Sequence, residues 1–266
     1  MLDVEFSQLS DAGPIRPRNE DYLGYVTPSS PEQVRSHGWL FALADGVGGQ
    51  RQGGVASRAA VEEVLGAFRR APPMESHSAL LSRLVQGANA RICEAEATAG
   101  PAGAGMSSTI VVCALHFDRA TIAHVGDSRC YLIRNQKARV ITQDHTVANE
   151  QLRLGVLSKK EAKSVSTRHI LSRSLGSGLF VNVEIDEVQV FPGDVLLQSS
   201  DGLHGALTDE EIASTVSSKD NLEAAAQELV DRANQQDGGD NVSVQLIRIR
   251  SVERMGMYRG RPYKVR

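Results

Sequence analysis

The sequence predicts an α+β fold, a four-layer α-β-β-α sandwich in which two antiparallel sheets pack together and helices cover both outer faces. Three observations lead there. Short β-branched or apolar runs recur with brief turns between them, as antiparallel neighbours do. Apolar residues at helical spacing gather in a few separate segments, two of them consecutive. The 266 residues show no internal repeat and no linker-like stretch, so a single domain over residues 1–250 is expected, followed by a basic tail over 251–266.

Taken in order, a strand-like stretch at 22–26 precedes a loop of turn formers, Thr27-Pro28-Ser29-Ser30-Pro31. The apolar run 39–44 is short and fits a buried strand. Val61, Val64, Leu65 and Phe68 recur at i, i+3, i+4, i+7, and Leu81, Leu84, Val85, Ala88 and Ile92 follow the same rule, so each set shares one helical face. A flexible link at 99–105 closes that pair. Runs at 108–115, 121–125 and 130–134 predict an antiparallel meander. Residues 146–163 are polar and predict a helix. Runs at 183–190 and 195–199 flank Pro192-Gly193-Asp194, a turn in which Pro fixes φ and Gly permits φ > 0. Leu222, Ala225, Ala226, Leu229 and Ala233 mark a further amphipathic helix, and 242–249 the last strand.

Composition excludes several classes. Hydrophobic residues make up 41% and charged residues 23%, ordinary for a soluble globular chain. A net charge of −3 supplies no basic field to recruit nucleic acid. No apolar run reaches membrane-spanning length, and Met1-Leu2-Asp3-Val4-Glu5 lacks the parts of a signal peptide. Cys93, Cys113 and Cys130 are an odd number at unrelated spacings. They read as reduced thiols of a cytoplasmic protein, expected to be a monomer without nucleic-acid or membrane partners.

Acidic residues sit at the edges of the predicted strands. Asp45 follows run 39–44, Asp201 follows run 195–199, and Asp240 precedes the last strand. Glu20 and Asp21 stand before the first strand, and Asp127 sits in the turn Gly126-Asp127-Ser128. A rigid sheet can aim such side chains at a common point. Clustered carboxylates repel unless a cation holds them, and oxygen ligands favour Mg²⁺ or Mn²⁺. Zinc-type histidine and thiolate spacings are absent. Asp-Gly is also a common turn dipeptide, so spacing alone supports an acidic metal site and no more.

The ordered set Ser10-Asp11-Ala12-Gly13, Arg16-Pro17-Arg18-Asn19-Glu20-Asp21, Ala44-Asp45-Gly46-Val47-Gly48-Gly49, Gly105-Met106-Ser107-Ser108, Val125-Gly126-Asp127-Ser128-Arg129, Ser200-Asp201-Gly202 and Gly239-Asp240-Asn241 closely resembles the protein phosphatase type 2C (PPM) family, in its compact bacterial form. The match spans about residues 10–249. The resemblance implies a metal-dependent protein serine/threonine phosphatase using two Mn²⁺ or Mg²⁺ ions, with a third possible, and a metal-activated water without a phosphoenzyme. Asp45 would bridge the two metals, with the Gly46 carbonyl completing one site and Asp201 and Asp240 holding the other. Glu20 and Asp21 would orient metal-bound waters, Asp127 would serve the additional weaker site, and Arg16 would grip the substrate phosphate. Phosphorylated proteins are the implied substrates, and a bacterial serine/threonine kinase the implied antagonist. The alternative is a catalytically weak binding module of the same fold.

Two departures from the family pattern stand out. Val47 occupies a position where many eukaryotic relatives carry a proton-donating histidine. The donor is then unassigned: a metal-bound water comes first, and His145 second, since it reads more readily as structural. Gly-Met-Ser-Ser replaces Gly-Thr-Thr but keeps a small hydroxyl, so little effect is expected. Residues 146–179 fall where the family has a flap beside the site. There Arg153, Lys159, Lys160 and Lys163 read as a solvated face or a substrate contact.

Three signals are rejected. Cys113 and Arg119 have the C-x5-R spacing of cysteine phosphatases, but Cys113 lies inside a β-branched run with no phosphate-cradling loop. Residues 46–54 are glycine-rich but lack Gly-Lys-Ser/Thr. The tail, with Arg254, Arg259, Arg261, Lys264 and Arg266, has no clear period and reads as a solvated, loosely ordered end.

Overall fold

Alternation in strand β3 (Trp39–Val47) shows how the layers form. Leu40, Ala42 and Ala44 point into a core shared with helices, while Phe41 and Leu43 point into a core shared with a second sheet, as a period of two requires. The computed structural model describes residues 1–47, 52–73, 75–100, 105–253, 255–258 and 261–264.

One sheet runs β2 (Asp21–Val26), β3, β5 (Ile110–His116), β6 (Arg119–Val125), β9 (Glu184–Gln189), with the short β4 (Ser107–Ser108) on β3. The other runs β1 (Asp3–Asp11), β11 (Val242–Ser251), β10 (Val195–Ser199), β7 (Arg129–Arg134), β8 (Lys137–Val140). Neighbouring strands in both sheets pair antiparallel. Phe41, Leu43, Cys113 and Ile122 of the first meet Cys130, Leu132, Leu196 and Ile247 of the second. Helices α2 (Gly53–Arg69) and α3 (His77–Ala99) cover one outer face. They bury the expected sets headed by Val61 and Leu81. Helices α6 (Asp201–Ala206), α7 (Asp209–Ser217) and α8 (Leu222–Gln236) cover the other through Leu203, Ile212, Leu222 and Leu229. The four-layer α-β-β-α expectation holds.

Several expectations need correction. β1 has no counterpart among the predicted strands, although it pairs with β11 along its whole length. The meander breaks after β6: the turn at 126–128 carries the chain into the other sheet, because β7 pairs with β10 and β8. The helix expected over 146–163 is two, α4 (Val147–Arg153) and α5 (Lys159–Ser164), parted at Gly155 with φ +73. Each starts on a side-chain cap, Thr146 accepting from Asn149 N–H and Ser158 closing a capping box with Glu161. The loop before β3 contains a short helix, α1 (Pro31–Ser36), capped by Ser30. The tail is not shapeless: β12 (Met255–Tyr258) and β13 (Arg261–Lys264) form a separate antiparallel pair. Gly48, Gly49, residues 101–104 of the flexible link, Arg254, Arg259 and Arg266 lie outside the described residues. Among the described residues, no helix is long and apolar enough to cross a membrane.

Cys113 is fully buried in β5 opposite Phe41, and the strand turns straight back so that His116 faces Arg119. The C-x5-R pair therefore belongs to a hairpin, not to a loop opening a helix. Cys113→Ser puts a hydroxyl into this apolar layer at a cost of about 1–3 kcal/mol. A lower thermal midpoint is expected, with phosphate-ester turnover within a few-fold of the parent. Loss of turnover in a folded Cys113→Ser chain would revive cysteine chemistry.

Candidate active site

Strand ends from both sheets meet at one end of the sandwich. β2 begins with Asp21 directly opposite Asp45 near the end of β3. β10 ends opposite Val244, two residues from where Val242 faces Asp11 of β1. Asp201 opens α6 immediately after β10, and Asp240 stands just before β11. The turn that crosses between sheets adds Asp127. Asp45, Asp127, Asp201 and Asp240 line one cleft of about 550 Å³ together with Arg16, Glu20 and Gly46. Asp21 is buried, and Ser200 Oγ donates to its Oδ2 at 2.7 Å. All the site residues expected from the sequence are thus brought to one place.

Neutral side chains absent from the expected set hold this arrangement. Asn241 Oδ1 accepts from Glu20 N–H at 2.8 Å, while its Nδ2 donates to the carbonyls of Ala12 and Arg18, each at 2.9 Å. It ties the loop before β2 to the start of β11. Thr109 Oγ1 accepts from Asp45 N–H at 3.0 Å, and Ser108 Oγ donates to the Asp45 carbonyl at 2.8 Å. Ser108 thus supplies the small hydroxyl retained in the departing Gly-Met-Ser-Ser motif. Asn241 and Ser108 stood in the quoted motifs, so their presence was legible and their roles were not. At Gly202 backbone crowding explains the residue: a Cβ would lie 2.1 Å from the Asn241 carbonyl oxygen.

Asp127 is held from behind. Gly126 N–H donates to His145 Nδ1 at 3.0 Å, and His145 N–H returns a bond to the Gly126 carbonyl at 2.9 Å. Its Nε2 lies 3.0 Å from both Glu184 Oε2 and the Arg173 guanidinium. His145 is only 4% exposed and does not line the cleft, so the structural reading of it prevails. His124, His145 and Glu184 bring ligand-type atoms within 4.8 Å of one another. The two imidazoles stack with 13° between their planes, so their in-plane lone pairs do not converge on one ion.

Beyond the expected set, Arg168, His169 and Leu171 also line the cleft. They come from the flap region, but not from the cations singled out there: Arg153, Lys159 and Lys160 are not in the lining.

A family model described as protein phosphatase 2C matches residues 18–246. The chain belongs to the protein phosphatase 2C family. It is 33% identical to the serine/threonine phosphatase stp of Listeria innocua over 258 residues, covering 95% of this chain and 96% of that one. The fold is similar to the S. agalactiae serine/threonine phosphatase, with a TM-score of 0.85 at 29% identity, covering 93% and 100% of the two chains. It is also similar to the catalytic domain of the phosphatase PstP in complex with two manganese ions, with a TM-score of 0.79 at 27% identity, covering 94% and 100%.

In this protein phosphatase 2C chain the carboxylates strain against one another. Burial first, then the charges of Asp21 and Asp201, hold Asp45 well above the usual carboxylate range. Asp21 is pushed up to about 7 by burial, with the Asp201 charge adding to it. Asp127 is pushed up to about 8 by burial and then by Asp201. Asp201 is raised by burial and then by Asp240. Asp21 Oδ1 and Asp201 Oδ1 are buried with no hydrogen-bond partner among the described residues. Buried, unpaired and negative, such oxygens need a proton or a cation. An all-oxygen donor set suits a hard divalent ion, so the residues present fit the metals that the family implies.

The same repulsion predicts a pH dependence. Asp21 and Asp127 keep protons up to about 7 and about 8 when folded, against 3.8 ordinarily. Over that interval the folded chain binds more protons than the unfolded one, so stability falls as pH rises. The histidines whose values are lowered from 6.5 oppose this only while their unfolded forms still titrate, which is nearly complete about one unit above 6.5. In EDTA, the thermal midpoint is expected to fall from about pH 7.5 to about pH 9. Asp127→Asn is expected to flatten the fall, and a rising midpoint in the parent contradicts the account.

Proposed function

We propose that this chain hydrolyses phosphoserine and phosphothreonine monoesters on proteins with two divalent cations, Mn²⁺ or Mg²⁺, in the cleft lined by Asp45, Asp201 and Asp240. The carrying observation is the meeting of buried, uncompensated carboxylate oxygens with an arginine in one open cleft. Similarity to serine/threonine phosphatases, among them PstP in complex with two manganese ions, supports the reading.

Asp45 would bridge the cations, the Gly46 carbonyl would complete one site, and Asp201 and Asp240 would serve the other. Glu20 and Asp21 would orient bound waters, and Asp127 would hold a third ion. When bound, the cations acidify water and offset charge on the phosphoryl oxygens. Arg16 NH2 donates to Asp240 Oδ2 at 2.7 Å and its Nε to the Gly239 carbonyl at 3.1 Å. Were Asp240 to hold a cation, the planar guanidinium of Arg16 would be free for a substrate phosphate, to which it can donate two parallel bonds. The asparagine and hydroxyl bonds described above keep the acids in place through this exchange. The catalytic unit lies within residues 1–250. It works as a monomer in the reducing cytoplasm opposite a bacterial serine/threonine kinase, consistent with three free cysteines.

Mn²⁺ or Mg²⁺ is expected to activate hydrolysis of p-nitrophenyl phosphate, and EDTA to abolish it; full activity in EDTA rules the reading out. Asp201→Asn removes one proposed ligand charge at nearly constant volume. Metal affinity is expected to drop, and turnover to fall by several orders of magnitude, because the uncatalysed reaction is extremely slow. Arg16→Ala is expected to keep its metals and to weaken phosphate affinity, with a smaller loss of turnover. Calorimetric metal titration beside steady-state kinetics separates the two. Normal metal binding and near-parent turnover in Asp201→Asn would remove that residue from the site.

A further inference from the structure

Serine and threonine leave a phosphate monoester as alkoxides, which are strong bases. Their departure therefore calls for a proton at the leaving oxygen. Most side chains around the cleft are unsuited to give it. They are carboxylates gathered around the metal positions, the guanidiniums of Arg16 and Arg168, and the apolar Val47 and Leu171. Among the described lining residues, His169 supplies the one imidazole, the side-chain type used most often as a general acid.

The other nearby histidines are spent. His145 is locked between Gly126 and Glu184. His124 is fully buried and its Nε2 faces the Gln143 carbonyl at 2.9 Å. His204 is partly buried near Arg129 and Asp144 and does not line the cleft.

We propose that His169 protonates the leaving hydroxyl oxygen. This rests on the phosphatase reading and adds a catalytic residue to it. His169 closes the 3-10 turn Ser166–His169 and is itself exposed. The backbone just after it is fixed: Val147 N–H donates to the Ile170 carbonyl at 2.8 Å, and Ser172 N–H donates to the His145 carbonyl at 2.9 Å. The ring is therefore presented to the cleft by an anchored segment.

Arg168 Nε–H donates to His169 Nε2 at 2.6 Å, so in this arrangement the ring is neutral with its proton on Nδ1. A substrate phosphate dianion competes for that guanidinium, and a solvent proton then takes its place on Nε2. As the oxygen of the attacking water bonds to phosphorus, the ester P–O bond breaks and its electron pair stays on the serine or threonine oxygen. That oxygen takes the imidazolium proton. One proton of the attacking water stays on the phosphate product, the other is released to solvent and replaces the one the ring had taken up, and the neutral ring returns to Arg168.

A poor leaving group needs this proton and a good one does not, so the test compares the two. His169→Gln, which keeps a hydrogen-bonding side chain but cannot act as an acid, is assayed in Mn²⁺ with a phosphothreonine peptide and with p-nitrophenyl phosphate. The kcat for the peptide is expected to fall by about 10²-fold or more, with p-nitrophenyl phosphate changed by no more than about threefold. Equal losses on both substrates, a peptide loss confined to KM, or an unchanged peptide kcat each overturn the proposal. The parent's metal-dependent turnover of both substrates tests the phosphatase reading separately. An unchanged thermal midpoint in the variant, expected for an exposed turn residue, assigns the loss to chemistry.

Discussion

Carboxylates taken out of water and placed in one another's field set the terms for the rest of this structure. Asp21, Asp45, Asp127 and Asp201 are all raised, with burial as the first cause in each. Arg129, two residues from Asp127, is committed elsewhere, forked onto Asp144. Among the described ion pairs, only Arg16 reaches the cluster, and it reaches Asp240 at the half-exposed rim. A fold selected for stability alone would place cations against its buried acids. Here the missing positive charge is left for something that binds.

A cluster that repels itself must be positioned by something other than its own charges. The frame is neutral: amides and hydroxyls act on backbone groups beside the acids. Asn241 joins three chain segments, and Ser200 spans Ser243 N–H and the Asp21 carboxylate. Thr109 Oγ1 meets Ser128 Oγ at 2.7 Å, linking the support of Asp45 to the turn that carries Asp127. Neutral partners leave the negative field intact. They also let the strand ends approach closely, as at Gly202. Preorganisation of this kind places the reorganisation cost in folding rather than in the reaction.

Much of this was legible because it depends on local pattern. Strand β3 declared both of its faces through strict alternation, and α2, α3 and α8 through their apolar stripes. The acids of the cleft were legible as motifs at strand ends. What escaped was set by partners distant in sequence. β1 mixes Asp3, Glu5 and Ser7 with Val4, Phe6 and Leu9, and its strand character comes from pairing with β11 some 240 positions away, as in Val4 opposite Ile249. Nothing local says that the chain changes sheets at residues 126–128. The flap cations Arg153, Lys159 and Lys160 read as a solvated face or a substrate contact, and they stay exposed outside the lining, while Arg168 and His169, which no pattern singled out, reach the cleft. The Ser158-to-Glu161 capping box was readable and would have split the helix expected over 146–163.

The flap is tied to the acids through the same neutral frame. Ser108 exchanges two backbone bonds with Leu175, N–H to carbonyl at 3.2 Å and the reverse at 2.8 Å. The hydroxyl of that same Ser108 holds the Asp45 carbonyl. At its other root the flap hangs on His145, which binds both Gly126 and Ser172. The returning arm, residues 170–175, is therefore bonded to residues that support both Asp45 and the turn of Asp127. Between these roots Leu154, Val156 and Ile170 remain exposed, at 74%, 66% and 52%. Apolar contacts made there by an incoming protein would bear on an element fixed at two points beside the acids. Ser108 and His145 are thus the residues through which the flap meets the segments that carry Asp45 and Asp127.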